Sequence, residues 1–253
     1  MKIIFYGVLY PLIRPFYLTS LIINTLILSI LTIVVSFFDK KGNAVHYIGK
    51  FWSLLNIYLS CTRLSIKGKE KIDRTKTYIV MSNHQSLFDV WALIGKIPLQ
   101  LRWIVKSGIK KMPVFGYALE RMGHIYIDRS KGKWTLANLD AAVQKIKNGT
   151  SVVIFPEGTR SIDGHLQKFL NGGAVLAIRS EVSILPITVN GSRFVLPKNT
   201  LGLMPGKIEI IVGDVIDPSS FTENQKDELM SAVKTAIEKN LNLEYGKIAL
   251  LPK

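Results

Sequence analysis

A short apolar run, Tyr78-Ile-Val-Met81, ends abruptly in polar residues, and a helix-like pattern begins at Ser86. The run predicts a buried strand and the pattern predicts a helix, so the residues between them form a strand-to-helix turn. This turn carries His84, and Asp89 follows five residues later. Because α/β proteins place catalytic and binding groups mostly in such turns, the segment predicts both an α/β architecture and a candidate site.

The spacing of His84 and Asp89 limits how the two side chains can act together. Residues five apart do not share a helix face, so we expect His84 on the turn and Asp89 in the first helical turn. From there the carboxylate can bind one ring nitrogen, fix the tautomer and leave the other nitrogen as a general base. No cysteine or serine occupies an evident nucleophile elbow, so a hydroxyl of the substrate is the expected nucleophile. The pair alone also fits an ordinary helix cap.

A second apolar run ends in the polar turn Pro156-Glu-Gly-Thr-Arg160. Pro156 and Gly158 end the strand and allow a tight turn with exposed backbone amides. The planar guanidinium of Arg160 can bind two phosphate oxygens at once. Glu157 can orient Arg160, bind a substrate hydroxyl or pair with another cation. Taken alone, the segment also fits a structural turn with a surface arginine.

The rest of the chain alternates short apolar strands with helical stretches and contains no repeats of solenoid period. The pattern predicts strands near Ile79, Trp103, Tyr126, Val153, Ile187 and Ile210. It predicts helices over Ser86–Lys96, Val114–Met122, Lys133–Lys147 and Gly173–Arg179, and a last helix from near Thr222. This alternation favours an α/β fold with a mixed, mostly parallel sheet flanked by helices.

The N-terminal part contains 23 residues without a charge, from Phe16 to Phe38, which is long enough to cross a bilayer as a helix. No small-residue cleavage site precedes Asp39, so we expect the segment to be retained. The neighbouring segments Ile3–Leu12 and Phe51–Leu59 are also apolar, which leaves a re-entrant or interfacial pair of helices as an alternative. The sequence thus predicts an N-terminal hydrophobic helical membrane anchor.

Lysines directly after the uncharged run indicate its orientation: Lys40, Lys41 and Lys50. Basic residues flanking a span favour the cytoplasmic side, so the catalytic part is expected on the cytoplasmic face of the membrane. The predicted division of the chain is into hydrophobic membrane-anchoring helices over residues 1–62 and an α/β domain over residues 63–253.

The net charge of +15, from 33 Lys and Arg against 18 Asp and Glu, favours an anionic partner. No zinc-ligand cluster, RNA-binding aromatic signature or basic helical stripe supports nucleic acid, whereas the apolar N-terminal part favours anionic membrane lipids. The single cysteine, Cys61, excludes an internal disulfide. His46, His124 and His165 lack metal-ligand spacing, so no metal is expected.

Two further segments complete a pattern of four blocks: Gly123-His-Ile-Tyr-Ile-Asp-Arg129 and Ile184-Leu-Pro-Ile-Thr-Val-Asn-Gly191. In this order the blocks resemble the glycerolipid acyltransferase family, specifically the 1-acyl-sn-glycerol-3-phosphate acyltransferases. Asn83, His84 and Asp89 match its first signature, and Phe155 to Arg160 match its third. Two signatures in the right order, about seventy residues apart, make the resemblance specific.

The resemblance implies acyl transfer from a thioester, either acyl-coenzyme A or acyl-carrier protein, to the free sn-2 hydroxyl of lysophosphatidic acid. The product would be phosphatidic acid, and no further cofactor is implied. His84 would take the proton of the hydroxyl while Asp89 orients the ring. Backbone amides near Gly158 would stabilise the oxyanion of the intermediate.

The resemblance also assigns the acceptor site. Arg160 would bind the acceptor phosphate, and Glu157, Gly158 and Thr159 would belong to the same site. Lys106 and Arg129 are second and third candidate phosphate ligands, although a surface or membrane-facing charge explains each of them nearly as well. One departure concerns Leu170, where many relatives carry a lysine, and the neighbouring Lys168 is a substitute.

Two alternatives remain at this point. Within the family, the acceptor can be glycerol 3-phosphate or another lysophospholipid. In a different class, the chain can be a non-catalytic lipid-binding or membrane-scaffolding protein that keeps the fold. That second alternative accounts for the charge and the apolar segment but leaves four residues unexplained as a set: His84, Asp89, Glu157 and Arg160.

Overall fold

The computed structural model describes residues 10–39, 42–127 and 136–247. Two helices begin this part of the chain, α1 over Tyr10–Ser36 and α2 over Asn43–Leu59. They pack against each other through polar contacts, in which the Trp52 indole donates to the Thr25 hydroxyl at 2.9 Å. The amides of Asn24 and Asn56 also bond to each other, at 3.0 Å. The two predicted apolar segments within this range are therefore helices.

Helix α1 is long and apolar enough, over Ile13–Ser36, to cross a membrane, and only 11% of this stretch is buried. Large apolar side chains cover its outer face, and Phe16 and Ile22 are 76% and 69% exposed. Exposure of such an apolar surface to water is unfavourable, because removing apolar area from water is the main favourable contribution in folding. The helix is therefore a candidate membrane anchor, as the sequence predicts.

In the part of the chain that the structure describes, seven strands form one sheet in the order β1-β7-β6-β2-β5-β3-β4. Their bounds are β1 Arg63–Lys67, β2 Ile79–Ser82, β3 Leu101–Lys106, β4 Ile125–Ile127, β5 Ser151–Ile154, β6 Ile184–Asn190 and β7 Lys207–Val212. The β6–β7 pair is antiparallel and the other five pairs are parallel. The mixed, mostly parallel sheet is confirmed. Strand β1 was not predicted, because only Leu64 and Ile66 are apolar in this half-exposed edge strand.

Within the described ranges, six further helices flank the sheet: α3 Phe88–Lys96, α4 Phe115–Arg121, α5 Leu136–Lys147, α6 Gly172–Ser180, α7 Ser192–Val195 and α8 Lys226–Glu238. The four predicted internal helices correspond to α3, α4, α5 and α6. The predicted start of α5 at Lys133 lies outside the described residues. The last helix begins after a capping box between Thr222 and Gln225, close to its predicted start.

The sheet has an apolar core on each face. Alternate residues of β2 belong to different cores: Val80 packs with α3, whereas Ile79 and Met81 pack with α5, α6 and α8. All four residues of β2 and of β5 are buried. Strands covered on both faces need apolar residues at successive positions, which explains the continuous apolar runs in the sequence.

The pairing of β2 with β5 positions the candidate site. These strands are parallel, with Met81 opposite Ile154. The carboxyl ends of parallel strands lie at the same edge of a sheet, where α/β proteins place their ligands. The turn that carries His84 therefore lies beside the turn that carries Glu157 and Arg160.

Candidate active site

Two hydrogen bonds hold the two polar turns together. The backbone amide of His84 donates to Glu157 Oε1 at 2.8 Å. In the opposite direction, the amide of Ser161 donates to the carbonyl of His84 at 2.7 Å. The two signatures, about seventy residues apart in the sequence, thus form one structural unit.

His84 and Asp89 form the expected pair, with 2.8 Å between His84 Nδ1 and Asp89 Oδ2. Asp89 is fully buried in the first turn of α3. Its Oδ2 also accepts from the amides of Gln85 at 2.6 Å and Ser86 at 2.8 Å. These bonds fix the carboxylate, so a neutral His84 ring keeps its proton on Nδ1 and leaves Nε2 able to accept a proton.

An aromatic stack supports the face of the His84 ring. Phe155 lies against it with ring centroids 3.8 Å apart and planes 8° apart. Trp103 of β3 also stacks with Phe155, at 5.6 Å and 27°. The Asp89 bond restrains the ring edge and Phe155 restrains its face, so together they fix the imidazole. Sequence reasoning gave Phe155 no such part.

Glu157 is buried and uses both carboxylate oxygens to accept from backbone amides. Oε1 accepts from His84, and Oε2 accepts from Gln167 at 3.0 Å. Burial raises the pKa of Glu157, and the two amide bonds oppose this shift. Within the described part of the chain these contacts brace the two turns. The contact of Glu157 with a substrate stays a prediction.

The turn after β5 has the predicted tight shape, with Gly158 at a φ of 71° that favours glycine. The amide of Gly158 donates to the carbonyl of Phe155 at 3.0 Å, so the turn itself uses it. The next two amides, of Thr159 and Arg160, donate to no described group. These two amides are therefore better placed than that of Gly158 to donate to an anion.

Lys198 adds a cation that sequence reasoning missed. Its Nζ donates to the carbonyl of Arg160 at 2.7 Å and to the Thr159 hydroxyl at 3.2 Å. Lys198 lies in the segment after α7, and no motif surrounds it in the sequence. Only the folding of the chain brings it to the turn.

The remaining predicted ligands are less well placed by the structure. Lys106 is the last residue of β3, which runs parallel to β5, so its backbone lies at the same sheet edge as the two turns. Arg129 lies outside the described residues. Leu170 is 55% exposed, and its amide donates to the carbonyl of Pro156 at 2.8 Å. The exposed Lys168 forms no hydrogen bond or ion pair with either turn among the described residues.

A cavity of about 500 Å³ opens beside His84. His84, Phe155 and Gly158 form part of its lining, and apolar residues of α3, β3 and α4 form most of the rest. Helix α1 contributes mainly small polar side chains, and α2 contributes apolar and small ones: Thr25, Leu28, Ser29, Thr32, Ile48, Gly49 and Trp52. The N-terminal helices are therefore walls of the cavity as well as an apolar surface.

His124 also lines the cavity, and its surroundings favour the neutral form of the imidazole. Burial, with smaller contributions from Arg102 and His46, lowers the pKa of His124 to about 3. Its Nδ1 accepts a hydrogen bond from the amide of Trp103 at 3.0 Å, as a neutral imidazole can. In residues 10–39, 42–127 and 136–247, no three His, Cys, Asp or Glu side chains are grouped as metal ligands.

The sequence of this chain is similar to those of known proteins. A relative from Arabidopsis thaliana, a chloroplastic 1-acyl-sn-glycerol-3-phosphate acyltransferase, is 30% identical over 78% of this chain and 54% of its own length. The 1-acyl-sn-glycerol-3-phosphate acyltransferase of Pseudomonas aeruginosa is 35% identical over 60% of this chain and 58% of its own. This chain thus spans just over half the length of these relatives.

The fold has a counterpart among solved structures. The crystal structure of the 1-acyl-sn-glycerophosphate acyltransferase of Thermotoga maritima superimposes with a TM-score of 0.79 at 23% identity. The match covers 92% of this chain and 97% of that one, including most of the N-terminal part.

A family model described as "Acyltransferase" matches residues 63–190, which are 128 of the 253 residues. The match begins at β1, ends at the last residue of β6, and includes both polar turns and the His84–Asp89 pair. The resemblance inferred from the sequence blocks is thereby confirmed, and this chain belongs to the acyltransferase family.

Proposed function

We propose that this protein transfers a fatty acyl group from an acyl thioester to the sn-2 hydroxyl of lysophosphatidic acid, forming phosphatidic acid. The observation that carries the proposal is the His84–Asp89 pair, placed between an apolar cavity and a turn with two cations. The relatives named 1-acyl-sn-glycerol-3-phosphate acyltransferases support this choice of acceptor.

In the proposed reaction, Nε2 of His84 accepts the proton of the acceptor hydroxyl. The hydroxyl oxygen attacks the thioester carbonyl carbon, and the negative charge moves to the carbonyl oxygen. Amides of the turn after β5 are the nearest candidate donors to that oxyanion. When the intermediate collapses, the C–S bond breaks and the proton on His84 passes to the thiolate. The imidazole returns to its neutral state and no other cofactor is needed.

We assign the acyl chain of the donor to the apolar cavity. Ligand pockets usually measure about 300 to 1,000 Å³ and have mostly apolar linings, and this cavity falls in that range. His84 lies in the lining, so a thioester at the opening presents its carbonyl to the base. The donor is either acyl-coenzyme A or acyl-carrier protein, since both present the acyl group as the same thioester.

The acceptor headgroup occupies the polar side of His84. Arg160 is the proposed ligand of the phosphate, with Glu157, Gly158 and Thr159 in the same site. Lys106 and Arg129 are further proposed phosphate ligands. A planar guanidinium with unpaired donors is well suited to a phosphate group.

We further propose that residues 1–62 anchor the protein to a membrane and that residues 63–253 form the catalytic domain on its cytoplasmic face. The exposed apolar face of α1 and the lysines after it, Lys40, Lys41 and Lys50, support this orientation. The net charge of +15 suits anionic lipids. Both substrates carry long acyl chains, so a membrane surface supplies them without passage through water.

The test uses detergent-purified full-length protein with lysophosphatidic acid and, in separate reactions, acyl-coenzyme A or acyl-carrier protein. Mass spectrometry detects phosphatidic acid. The wild-type protein should form it with at least one donor, and His84→Ala should reduce the rate by about 10² to 10⁴. Equal rates for the two proteins would remove His84 from the mechanism.

The same assay separates the alternatives. Product only from glycerol 3-phosphate or from another lysophospholipid would keep the chemistry and change the acceptor. Lack of turnover across this acceptor panel, by folded protein that binds vesicles, would support the non-catalytic lipid-binding alternative.

A further inference from the structure

Two cations share the turn after β5 without a counter-ion in the described structure. Lys198 Nζ lies 2.7 Å from the Arg160 carbonyl, and both oxygens that it contacts are neutral. The ion pairs of the described residues include neither Lys198 nor Arg160. Both side chains are half-buried, so water screens them less than it screens freely exposed charges.

Lys198 is held in place by its own segment. The hydroxyl of Ser86, three residues before Asp89, donates to the carbonyl of Leu196 at 2.8 Å. Two residues further on, Lys198 contacts Thr159 and Arg160. The segment Leu196–Lys198 therefore touches both polar turns. A lysine fixed in this way loses less conformational entropy on binding an anion than a free surface lysine would.

The charge of the site distinguishes between classes of acceptor. A phosphomonoester carries nearly two negative charges at neutral pH, because its second pKa is about 6. A phosphodiester headgroup carries only one charge on the phosphate. Lys198 and Arg160 contribute two cations to the same turn, and neither has a carboxylate partner among the described residues. Two cations of this kind match the more highly charged group.

We propose that Lys198 is a specificity-determining residue for the acceptor. Its ammonium group binds the phosphate of the acceptor together with Arg160 and selects a phosphomonoester over a phosphodiester. This inference rests on the proposed function and adds to it a residue outside the matched signatures. Lys168 is exposed and forms no hydrogen bond or ion pair with the turn among the described residues, so it serves as the control.

The test compares Lys198→Gln, Lys198→Arg and the control Lys168→Gln in full-length protein. Lys198→Gln retains an amide donor for the Arg160 carbonyl but removes the charge, whereas Lys198→Arg retains the charge. Loss of one charge-assisted hydrogen bond should raise the KM for lysophosphatidic acid about tenfold or more in Lys198→Gln. The KM for the acyl donor should not change. Lys198→Arg, which keeps the charge, should raise the KM for lysophosphatidic acid less than Lys198→Gln does, and Lys168→Gln should match the wild type.

The acceptor panel supplies the decisive comparison. For Lys198→Gln, the preference for lysophosphatidic acid over a lysophospholipid with a phosphodiester headgroup should fall about tenfold. If Lys198→Gln keeps the wild-type KM and the wild-type preference for lysophosphatidic acid, Lys198 only holds the turn in place. That result would overturn the inference. An equal loss with both acceptors would also overturn it.

Binding of lysophosphatidic acid to the purified proteins keeps the test independent of turnover. If the wild type forms no phosphatidic acid, the proposed function fails, and the affinities of wild type and Lys198→Gln still decide the role of Lys198. Weaker binding by Lys198→Gln, with an unchanged melting temperature, supports the inference. Equal binding contradicts it.

Discussion

The ring of Phe155 lies parallel to the imidazole of His84, with centroids 3.8 Å apart. Asp89 holds one edge of the same imidazole through Nδ1 at 2.8 Å. A hydrogen bond at one edge leaves the ring able to rock about that bond, and a parallel ring against its face opposes this motion. Two residues therefore orient the imidazole: Asp89 in the first turn of α3, and Phe155 directly after β5.

We expect Phe155→Leu to lower kcat by about twofold to tenfold, because a stacked aromatic pair contributes about 0.5 to 1.5 kcal/mol beyond its buried area. The leucine fills most of the volume but cannot lie flat against the imidazole. Steady-state kinetics with saturating substrates measure the effect. The control is Phe221→Leu, because Phe221 packs against the core on the opposite face of the sheet. This substitution should lower the melting temperature without changing kcat. Equal kcat values in the two variants would argue against orientation by Phe155.

Substitution of Glu157 separates bracing from substrate binding. Glu157→Ala removes the acceptor of two partly buried amides, and an unsatisfied buried amide costs about 1 to 3 kcal/mol, so each of these costs up to that amount. Glu157→Gln retains one acceptor oxygen. We therefore expect the melting temperature and kcat to fall in the order wild type, Gln, Ala, with little change in the KM for the acceptor. A rise in that KM at an unchanged melting temperature would instead indicate direct contact with the acceptor.

The cavity should respond to a single methyl group at Gly49. A Cβ at this position would lie 2.7 Å from the terminal methyl of Met122, which also lines the cavity. Gly49→Ala should displace Met122 and disfavour the longest acyl donors relative to shorter ones by about fourfold, the value of one buried methylene. A series of acyl donors of increasing length gives kcat/KM for each. Gly108→Ala is the control, because a Cβ there meets no atom within 4 Å.

An unaltered chain-length profile in Gly49→Ala would place the acyl chain elsewhere. A matching change in Gly108→Ala would point to a general effect of added helix propensity.

Buried His124 should make the protein sensitive to acid. Burial lowers its pKa from 6.5 to about 3, so between these values the unfolded chain binds a proton that the folded chain does not. The free energy of unfolding therefore falls as the pH is lowered from 6.5, by up to about 1.4 kcal/mol per pH unit. His124→Asn keeps an acceptor for the Trp103 amide and removes the titration, so its slope should be smaller.

Denaturant unfolding at pH 7, 6 and 5 measures this slope. His165→Asn is the control, because it replaces an exposed histidine instead of a buried one. Identical slopes for wild type and His124→Asn would show that His124 does not govern the acid response.

The sequence predicts the strands and helices near the site because β2 and β5 are buried on both faces. Their apolar runs end at His84 and at Glu157, and polar residues after such runs are easily recognised. Strand β1 was missed because an edge strand with one exposed face needs few apolar residues. Its existence depends on pairing with β7, which lies more than a hundred residues away.

The partners of the site residues depend on tertiary contacts that no local pattern encodes. Lys198 reaches the Arg160 turn only because the segment after β6 folds back over it. Glu157 was expected at a substrate or beside Arg160, and its two oxygens accept from the amides of His84 and Gln167. The uncharged run of α1 predicts a helix, but its part in the cavity follows from packing against α2 and α4.

Helix α1 separates two environments. Its outer side is apolar and exposed, and Ile22 and Ile27 are 69% and 58% exposed. On its inner side, Ser29 and Thr32 are buried and line the cavity beside His84. A variant lacking residues 1–36 would therefore lose one wall of the cavity together with the candidate membrane anchor. Truncation would open the cavity to solvent, whereas polar substitutions confined to the outer side of α1 would keep it closed.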